Sequence, residues 1–172
     1  LGTTPDDVAR VAQNVHEGVR QIRGVESASL STIPLFSDTD LYATVRIAGS
    51  DALIDARFNS VSPGYLETLG MTLVEGRTIL PQDTGESFVA VINQAMARKY
   101  FPRGSALGQS IEMGTAKMAG KPIQIVGVVR DAKYNDVRAE TKPMFFRAIQ
   151  QFPGRIRAIE VRTSAPSREV VD

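Results

Sequence analysis

The chain has 172 residues, of which 42% are hydrophobic, and this is enough for the core of one domain or of two small subdomains. Its 20 basic and 19 acidic residues leave a net charge of +1, which argues against a dedicated nucleic-acid surface. It contains no cysteine, which excludes a thiol nucleophile and a cysteine-based zinc site.

The first predicted element is an amphipathic helix over residues 4–23, with Thr4 as the N-cap and Gly24 as the stop. An apolar stripe runs along it at helical spacing: Val8, Val11, Val15, Val19 and Ile22. We expect a sheet or a second helix to cover this stripe, because an isolated helix of this length is marginal in water. His16, the only histidine, lies beside the stripe, and we interpret it as a plain surface residue.

Strands and turns follow the helix. The hydrophobic pattern predicts strands over residues 25–33, 41–48 and 53–60. In the last of these, Asp55, Arg57 and Asn59 are expected to face outward. Ser62 then suits the N-cap of a short helix, and Gly70 suits its left-handed stop.

The second half continues with short strands and one more helix. Residues 88–92 form an apolar run that predicts a buried strand. Asn93 suits the N-cap of the helix that follows, and Pro102 stops it. Further strands are predicted over residues 109–113, 123–129, 143–149 and 156–163. A last helix is predicted to start at residue 166.

A series of short motifs spans this region. They read Val61-Ser-Pro-Gly-Tyr-Leu-Glu-Thr-Leu-Gly70, Val89-Ala-Val-Ile-Asn93, Tyr100-Phe-Pro102, Leu107-Gly-Gln109 and Ile125-Val-Gly-Val-Val129. With these motifs in this order, the chain resembles the periplasmic core domain of MacB-like ABC transporter permeases, which accompanies an FtsX-like permease domain. Its nearest variety is the duplicated bacterial permease type without a fused ATPase, and the resemblance covers nearly the whole chain.

The pattern of elements and the resemblance both point to an α+β fold with two lobes. One is an α/β lobe of split β-α-β units, and the other is an inserted, mostly-β lobe. We place the first lobe at residues 1–60 and 151–172, and the inserted lobe at residues 61–150. Both chain ends then belong to one lobe, and we expect them to leave it on the same side, facing a membrane.

The resemblance also implies a location and a role. It implies a periplasmic, extracytoplasmic domain of a bacterial inner-membrane protein that transmits ATP-driven motion of transmembrane helices to export or extraction of a substrate. The expected partners are a cytoplasmic ATP-binding subunit, a dimer mate and a periplasmic protein, lipid or peptide, but no nucleic acid. The sequence itself has neither an apolar run long enough to span a bilayer nor a signal-peptide pattern.

No motif in the sequence carries catalysis or cofactor binding. Asp38 and Asp40 lack the glycine and the distal glutamate of a calcium loop. The stretch from Gly104 to Gly108 lacks the Lys-Ser/Thr ending of a phosphate loop. We therefore expect no catalytic residue, no cofactor, no metal and no enzymatic activity; a small enzyme using scattered carboxylates would need a cluster of acids, which the sequence does not show.

A binding module is the alternative function, with a peptide or lipid held in the cleft between the lobes. Four aromatic side chains are the predicted cleft or partner contacts: Tyr65, Tyr100, Phe145 and Phe146. Phe145 and Phe146 are adjacent on one strand and point to opposite faces, which would leave one of them exposed. For this pair, a place in the core or between the lobes is favoured over a ligand site.

Overall fold

The computed structural model of the chain describes residues 5–37, 39–51, 53–114, 121–134, 138, 140–152 and 156–164. In these residues the elements are α1 (Pro5–Arg20), β1 (Val25–Ser31), β2 (Tyr42–Ile47), β3 (Leu53–Val61), α2 (Tyr65–Thr68), β4 (Leu73–Gly76), β5 (Val89–Asn93), α3 (Gln94–Tyr100), β6 (Ser110–Met113), β7 (Pro122–Val129), β8 (Met144–Ala148) and β9 (Ala158–Thr163). This mixture confirms the α+β class. The helix predicted from residue 166 lies outside the described residues.

Six strands close into a ring through their backbone hydrogen bonds. Their order is β2–β6–β7–β5–β8–β3, and β3 pairs in turn with β2. The pairs β5–β7 and β3–β8 are parallel, and the other pairs of the ring are antiparallel. We call these six strands the strand ring. The elements α1, β1 and β9 form a second group, the terminal unit, in which β9 pairs with β1.

The strand ring encloses one hydrophobic core and carries a second on its outer face. Every strand of the ring contributes buried side chains to the first core, including Val45 of β2, Ile111 of β6 and Phe145 of β8. The second core covers the outer face of β3, β5 and β8, and α2 contributes Tyr65 to it. Each large apolar side chain buried in this way stabilises the fold by roughly 1.5–3 kcal/mol.

The helix α1 packs on β1 with a different face from the predicted one. Its less exposed positions are Ala9, Ala12, His16 and Val19. Four of the five residues of the predicted stripe are left uncovered by the described residues: Val8, Val11, Val15 and Ile22 are 40, 58, 49 and 43% exposed, and Val19 is half-buried. The expectation that this stripe is covered is therefore wrong for this part of the chain. The two alanines allow a closer approach to β1 than valines would, and this accounts for the choice of face.

His16 is not a plain surface residue. Its Nε2 lies 2.8 Å from the carbonyl oxygen of Ala28 on β1, and the ring is half-buried under the helix. The contact pins the middle of α1 to the neighbouring strand. The imidazole thus has a structural partner, which the sequence pattern did not indicate.

Of the three predicted N-caps, Thr4 lies outside the described residues, and the other two differ in outcome. The side chain of Asn93 accepts a hydrogen bond from the Met96 N–H at 3.0 Å and caps α3, as predicted. Ser62 does not cap α2, which begins after Gly64, a residue in the left-handed region with φ of 82°. The Ser62 hydroxyl instead accepts from the Leu30 N–H at 2.8 Å and joins β1 to the segment after β3.

The first and last described residues lie at opposite ends of α1. Pro5 begins the helix, whereas Ser164 donates its N–H to the carbonyl oxygen of Gly24, beyond the other end. The reason is that β1 runs back along α1 and β9 runs antiparallel to β1. The chain ends themselves, residues 1–4 and 165–172, lie outside the described residues, so the expectation that both leave on one side stays a prediction. Within the described part of the chain, no helix is both long and apolar enough to cross a membrane.

The division into two lobes stays a prediction. Strands β2 and β3 belong to the predicted first lobe, yet they pair with β6 and β8 of the predicted inserted lobe. The terminal unit meets the strand ring through one register pair of β1 and β3, Ser31 with Val61, flanked by backbone hydrogen bonds from the Thr32 N–H to the Ser60 carbonyl oxygen at 3.0 Å and from the Ser62 N–H to the Leu30 carbonyl oxygen at 2.9 Å. The backbone connection between the two groups is therefore narrow, and side chains near it decide how firmly they are joined.

Candidate functional site

A cleft of about 550 Å³ opens between α1 and the rest of the molecule. One wall is the polar side of α1, with Gln13, His16, Glu17 and Arg20. The opposite side is largely apolar, with Leu30, Pro63, Pro81, Ile149 and Ile156. Its volume is within the roughly 300–1,000 Å³ of small-molecule sites in proteins. Residues assigned to both predicted lobes line it.

One side chain of the cleft has an unused hydrogen-bond acceptor. The amide nitrogen of Gln150 donates to the carbonyl oxygen of Leu80 at 3.1 Å. Its Oε1 atom is buried and accepts no hydrogen bond from the described residues. A buried acceptor without a partner costs about 1–3 kcal/mol, which a ligand N–H or O–H placed there would recover. The cleft thus combines an apolar floor with polar groups at its edge.

The predicted aromatic contacts do not line this cleft. Tyr65, Phe145 and Phe146 are 1, 0 and 1% exposed and lie in the two hydrophobic cores. Phe145 and Phe146 do point to opposite faces of β8, but neither is exposed as expected. The reason is that the interior of the strand ring covers one face of β8 and the second core covers the other. None of these three side chains is at a surface where a ligand could reach it in this arrangement.

Tyr100 lies in a different pocket, of about 580 Å³, at the C-terminal end of α3. The β2–β3 turn forms the facing wall, with Ile47 and Ile54. Two basic residues, Lys99 and Arg103, also line this pocket, and the Lys99 Nζ lies 5.3 Å from the centre of the Tyr100 ring. Contact of Tyr100 with a ligand or partner stays a prediction.

A buried polar network joins the terminal unit to the strand ring below the cleft. The side-chain amide of Asn59 on β3 donates to the carbonyl oxygen of Ile33 at 2.9 Å and to the Tyr134 hydroxyl at 2.6 Å. Its oxygen accepts from the Ile33 N–H at 3.1 Å. The hydroxyls of Tyr134 and Tyr65 are hydrogen-bonded to each other. We call this network, together with the Ser62–Leu30 bond, the polar joint.

The strand β9 flanks the polar joint with two charged side chains. The Arg162 Nε donates to the carbonyl oxygen of Thr68 at 2.9 Å and so ties β9 to α2. The Ser31 hydroxyl donates to Glu160 Oε1 at 2.7 Å, while the other carboxylate oxygen is buried without a partner among the described residues.

Burial sets the ionisation of the titratable groups in this region. Burial raises the pKa of Glu160, which outweighs the lowering by its bond from Ser31. Burial also raises the pKa of Tyr134 to about 12, so the phenol remains protonated at neutral pH. It raises the pKa of Tyr65 as well, with the neighbouring Tyr134 adding to the effect. The joint therefore works with neutral hydroxyls as donors and acceptors.

The sequence analysis did not find the polar joint. It assigned Asn59 to an outward-facing position, and that residue is fully buried. Tyr134 lies in a segment without a regular element, and the Asn59–Tyr134 contact joins positions 75 apart in the chain. The one hint in the sequence was an asparagine near the end of a β-rich run. The alternation of side chains along a strand places this asparagine on the face that carries the polar residues.

The cleft and the polar joint offer hydrogen-bonding groups and an apolar surface. His16 contacts a backbone carbonyl and no hydroxyl nucleophile among the described residues. In the same part of the chain, no three His, Asp or Glu side chains are grouped so that they could hold a metal ion. The groups in the cleft and in the polar joint suit a ligand contact or a rigid connection.

The sequence matches a known family over nearly its full length. The family model described as the MacB-like periplasmic core domain matches residues 2–170. The uncharacterized ABC transporter permease YknZ of Bacillus subtilis (strain 168) is 24% identical over 133 residues, which make up 76% of this chain and 30% of the permease. The chain thus spans less than a third of the length of that relative.

Two solved structures with this fold are the extracellular domain of an ABC-type transporter and the periplasmic region of MacB. The extracellular domain of YknZ, a noncanonic ABC-type transporter from Gram-positive bacteria, superposes with a TM-score of 0.62 at 19% identity, covering 91% of this chain and 74% of that one. The periplasmic region of MacB from Actinobacillus actinomycetemcomitans superposes with a TM-score of 0.66 at 15% identity, covering 91% and 67%. At these identities the likeness concerns the fold.

Proposed function

The chain belongs to the MacB-like periplasmic core domain family. We propose, for this reason, that it passes motion from the transmembrane helices of an ABC transporter permease to a substrate or partner outside the cytoplasm. Domains of this family are the extracytoplasmic parts of such permeases. The proposed role is mechanical: an ATP-binding subunit supplies the movement, and this domain carries it.

The polar joint is the observation that supports this role. Both ends of the described chain lie in the terminal unit, so a displacement at either end enters through α1, β1 and β9. The backbone of this unit meets the strand ring at one register pair, Ser31 with Val61, flanked by two backbone hydrogen bonds. Side chains at the boundary share the load with this short backbone contact, and they are Asn59, Ser62, Tyr134 and Arg162.

Hydrogen bonds in a dry interior suit this task better than apolar contact does. An apolar interface can slide and repack at low cost if its volume is conserved. Sliding the polar joint instead strands buried donors and acceptors, at about 1–3 kcal/mol for each group. The terminal unit and the strand ring are thus held in one arrangement and would move together.

The experiment is to loosen the boundary without unfolding the domain. Arg162 is exposed apart from its bond to the Thr68 carbonyl oxygen, so Arg162→Met removes one tie between β9 and α2 at little cost to folding. In the full-length permease with its ATP-binding subunit, we expect ATP hydrolysis to persist while transport per ATP falls several-fold. Arg10→Met is the matched control, because Arg10 lies on the exposed side of α1 and pairs only with Asp7. Unchanged transport in a folded Arg162→Met permease would contradict the proposal.

The cleft supports a second candidate, a binding module for a peptide or lipid. The unpartnered Oε1 of Gln150 is the specific observation that favours it, because a peptide N–H or a lipid hydroxyl would complete this acceptor. Titration with an unlabelled hexapeptide and with a short-chain monoacylglycerol, followed by NMR through the backbone amide signals of Thr84 and Ile149 in the cleft, tests it. Binding should weaken in Gln150→Leu and persist in Gln109→Leu, which alters the other pocket. Equal binding by both variants would exclude the cleft.

A further inference from the structure

The guanidinium of Arg147 lies inside one end of the strand ring. Arg147 follows Phe146 on β8 and is the register partner of Ser60 on β3. Its Nε donates to the Ser60 hydroxyl at 2.8 Å and its Nη1 to the Met113 sulfur at 3.1 Å. These contacts come from the last residues of β3, β6 and β8, which finish at the same end of the ring.

Aromatic rings hold this guanidinium in place from both sides. Its central carbon lies 4.5 Å from the ring centre of Phe58 and 4.1 Å from that of Phe152. The ring of Phe58 stacks in turn on that of Phe145, with ring centres 5.6 Å apart. The ring of Phe152 packs at a tilt against that of Phe88, with ring centres 5.0 Å apart. Cation–π contacts of this kind stabilise a cation and fix its plane. The cation is therefore preorganised.

The positive charge of Arg147 has no negative partner. No carboxylate of the described residues lies within ion-pair distance of it, and its Nη2 donates to none of their acceptors. Burial lowers the pKa of Arg147 to about 10, so the group remains charged at neutral pH. Charged side chains that are this far removed from water are usually paired.

We propose that this end of the strand ring binds a single carboxylate, supplied either by a free organic acid or by an acidic side chain of a peptide. One uncompensated cation matches one monovalent anion, and the free N–H groups of a guanidinium fit the oxygens of a carboxylate. The rings of Phe58 and Phe152 favour an apolar group next to that carboxylate. This site is separate from the cleft beside α1 and independent of the proposed mechanical role.

The test uses benzoate and acetate as probes of the 172-residue chain, with the backbone amide signals of Phe58 and Phe152 followed by NMR in the parent and in every variant. We expect a saturable shift with both probes, and tighter binding of benzoate because of the flanking rings. Arg147→Gln and Arg147→Lys should each weaken benzoate binding roughly tenfold or more, which is the usual effect of a lost charge-assisted hydrogen bond. The lysine variant keeps the positive charge but lacks the planar guanidinium. It provides the comparison with the parent if the glutamine variant fails to fold.

Arg57→Lys is the matched control. Its guanidinium also lies near an aromatic ring, 5.7 Å from the centre of Tyr42, but it is paired with Asp40 at 2.5 Å. Benzoate binding should be unchanged in this variant. A hexapeptide with one glutamate, compared with its glutamine counterpart, then distinguishes the two sources of the carboxylate. Arg147-dependent binding of the glutamate peptide identifies a peptide ligand. Binding of benzoate without binding of this peptide identifies a free organic acid.

Three results would overturn the proposal. The first is the absence of a saturable response in the folded parent chain. The second is equal benzoate affinity in Arg147→Gln and in the parent. The third is tighter, Arg147-dependent binding of inorganic phosphate than of benzoate, which would replace the carboxylate with a phosphate.

Discussion

Replacing Asn59 with alanine is the sharpest test of the polar joint. The amide of this residue makes three hydrogen bonds, two with the backbone of Ile33 and one with the Tyr134 hydroxyl. In Asn59→Ala, the Ser31 hydroxyl can turn its one proton from Glu160 Oε1 to the Ile33 carbonyl oxygen, 2.9 Å away, and the Tyr134 hydroxyl keeps Tyr65. The Ile33 N–H alone is left stranded.

The expected loss of stability follows from this inventory. The stranded N–H costs about 1–3 kcal/mol, and each of the other two lost bonds contributes roughly 0.5–1.5 kcal/mol. Asn59→Ala should therefore lower the free energy of unfolding by about 2–6 kcal/mol, a large part of the roughly 5–15 kcal/mol of a typical domain. Urea denaturation followed by circular dichroism measures it through the midpoint at constant slope.

Two further variants make this experiment decisive. Asn14→Ala is the control, because Asn14 is exposed on α1, and its effect should stay within about 0.5 kcal/mol. Tyr134→Phe combined with Asn59→Ala should show a coupling of about 1 kcal/mol, since the two side chains share a hydrogen bond. A loss below about 1 kcal/mol in Asn59→Ala, with an unchanged slope, would refute the reasoning that the network is dry and satisfied.

Four other outcomes are expected. Gly127→Ala should lower the free energy of unfolding by about 1–3 kcal/mol or more, because its Cβ would lie 2.1 Å from the Arg77 carbonyl oxygen. Gly18→Ala is the control, because there is open space around Gly18, and it should not destabilise the fold. Equal melting temperatures of the two variants in thermal unfolding would contradict this. Val11→Ser should change stability by no more than about 0.5 kcal/mol, because Val11 is already exposed, and a larger loss would mean that the stripe is covered. The pKa of Glu160 is raised above 4.5 by burial, so the parent loses stability as the pH rises through the folded-state pKa; Glu160→Gln should be more stable than the parent at pH 7 but not at pH 4, and a pH-independent difference would argue against a buried carboxylate. Calorimetric titration of the chain with ATP should release no binding heat, and measurable affinity would count against a purely mechanical domain.

The predicted strands were found because their signals are local. The runs at residues 88–92 and 123–129 are apolar and β-rich, and they became β5 and β7 at the centre of the strand ring. Closure of the ring depends on pairings such as β2 with β6, which join residues far apart in the chain. Such register is decided by turn geometry and by which faces are buried, and a single sequence does not contain that information in readable form.

The errors concern which faces are covered. Alternation correctly put Asn59 on the outer face of the ring with Asp55 and Arg57, but the second core covers that face at the Asn59 end of β3 only. Helical periodicity correctly grouped the valines of α1, but it does not say which face meets β1. In both cases the period was right, but a period does not identify the element that covers each face, whether that element is the next strand, as for α1, or lies far away in the chain, as for Asn59.

The cleft and the polar joint share residues, and this connects the two proposed functions. Leu30 and Ser62 line the cleft, and the hydrogen bond between them is part of the joint. A ligand in the cleft would therefore touch the same groups through which motion of the terminal unit would reach the strand ring. If the two groups have a second relative arrangement, a ligand that binds one arrangement more tightly shifts the population toward it by its difference in affinity, and by no more than that. In that case the two proposed functions depend on the same residues. Loosening the polar joint would then change the affinity for the ligand as well as transport.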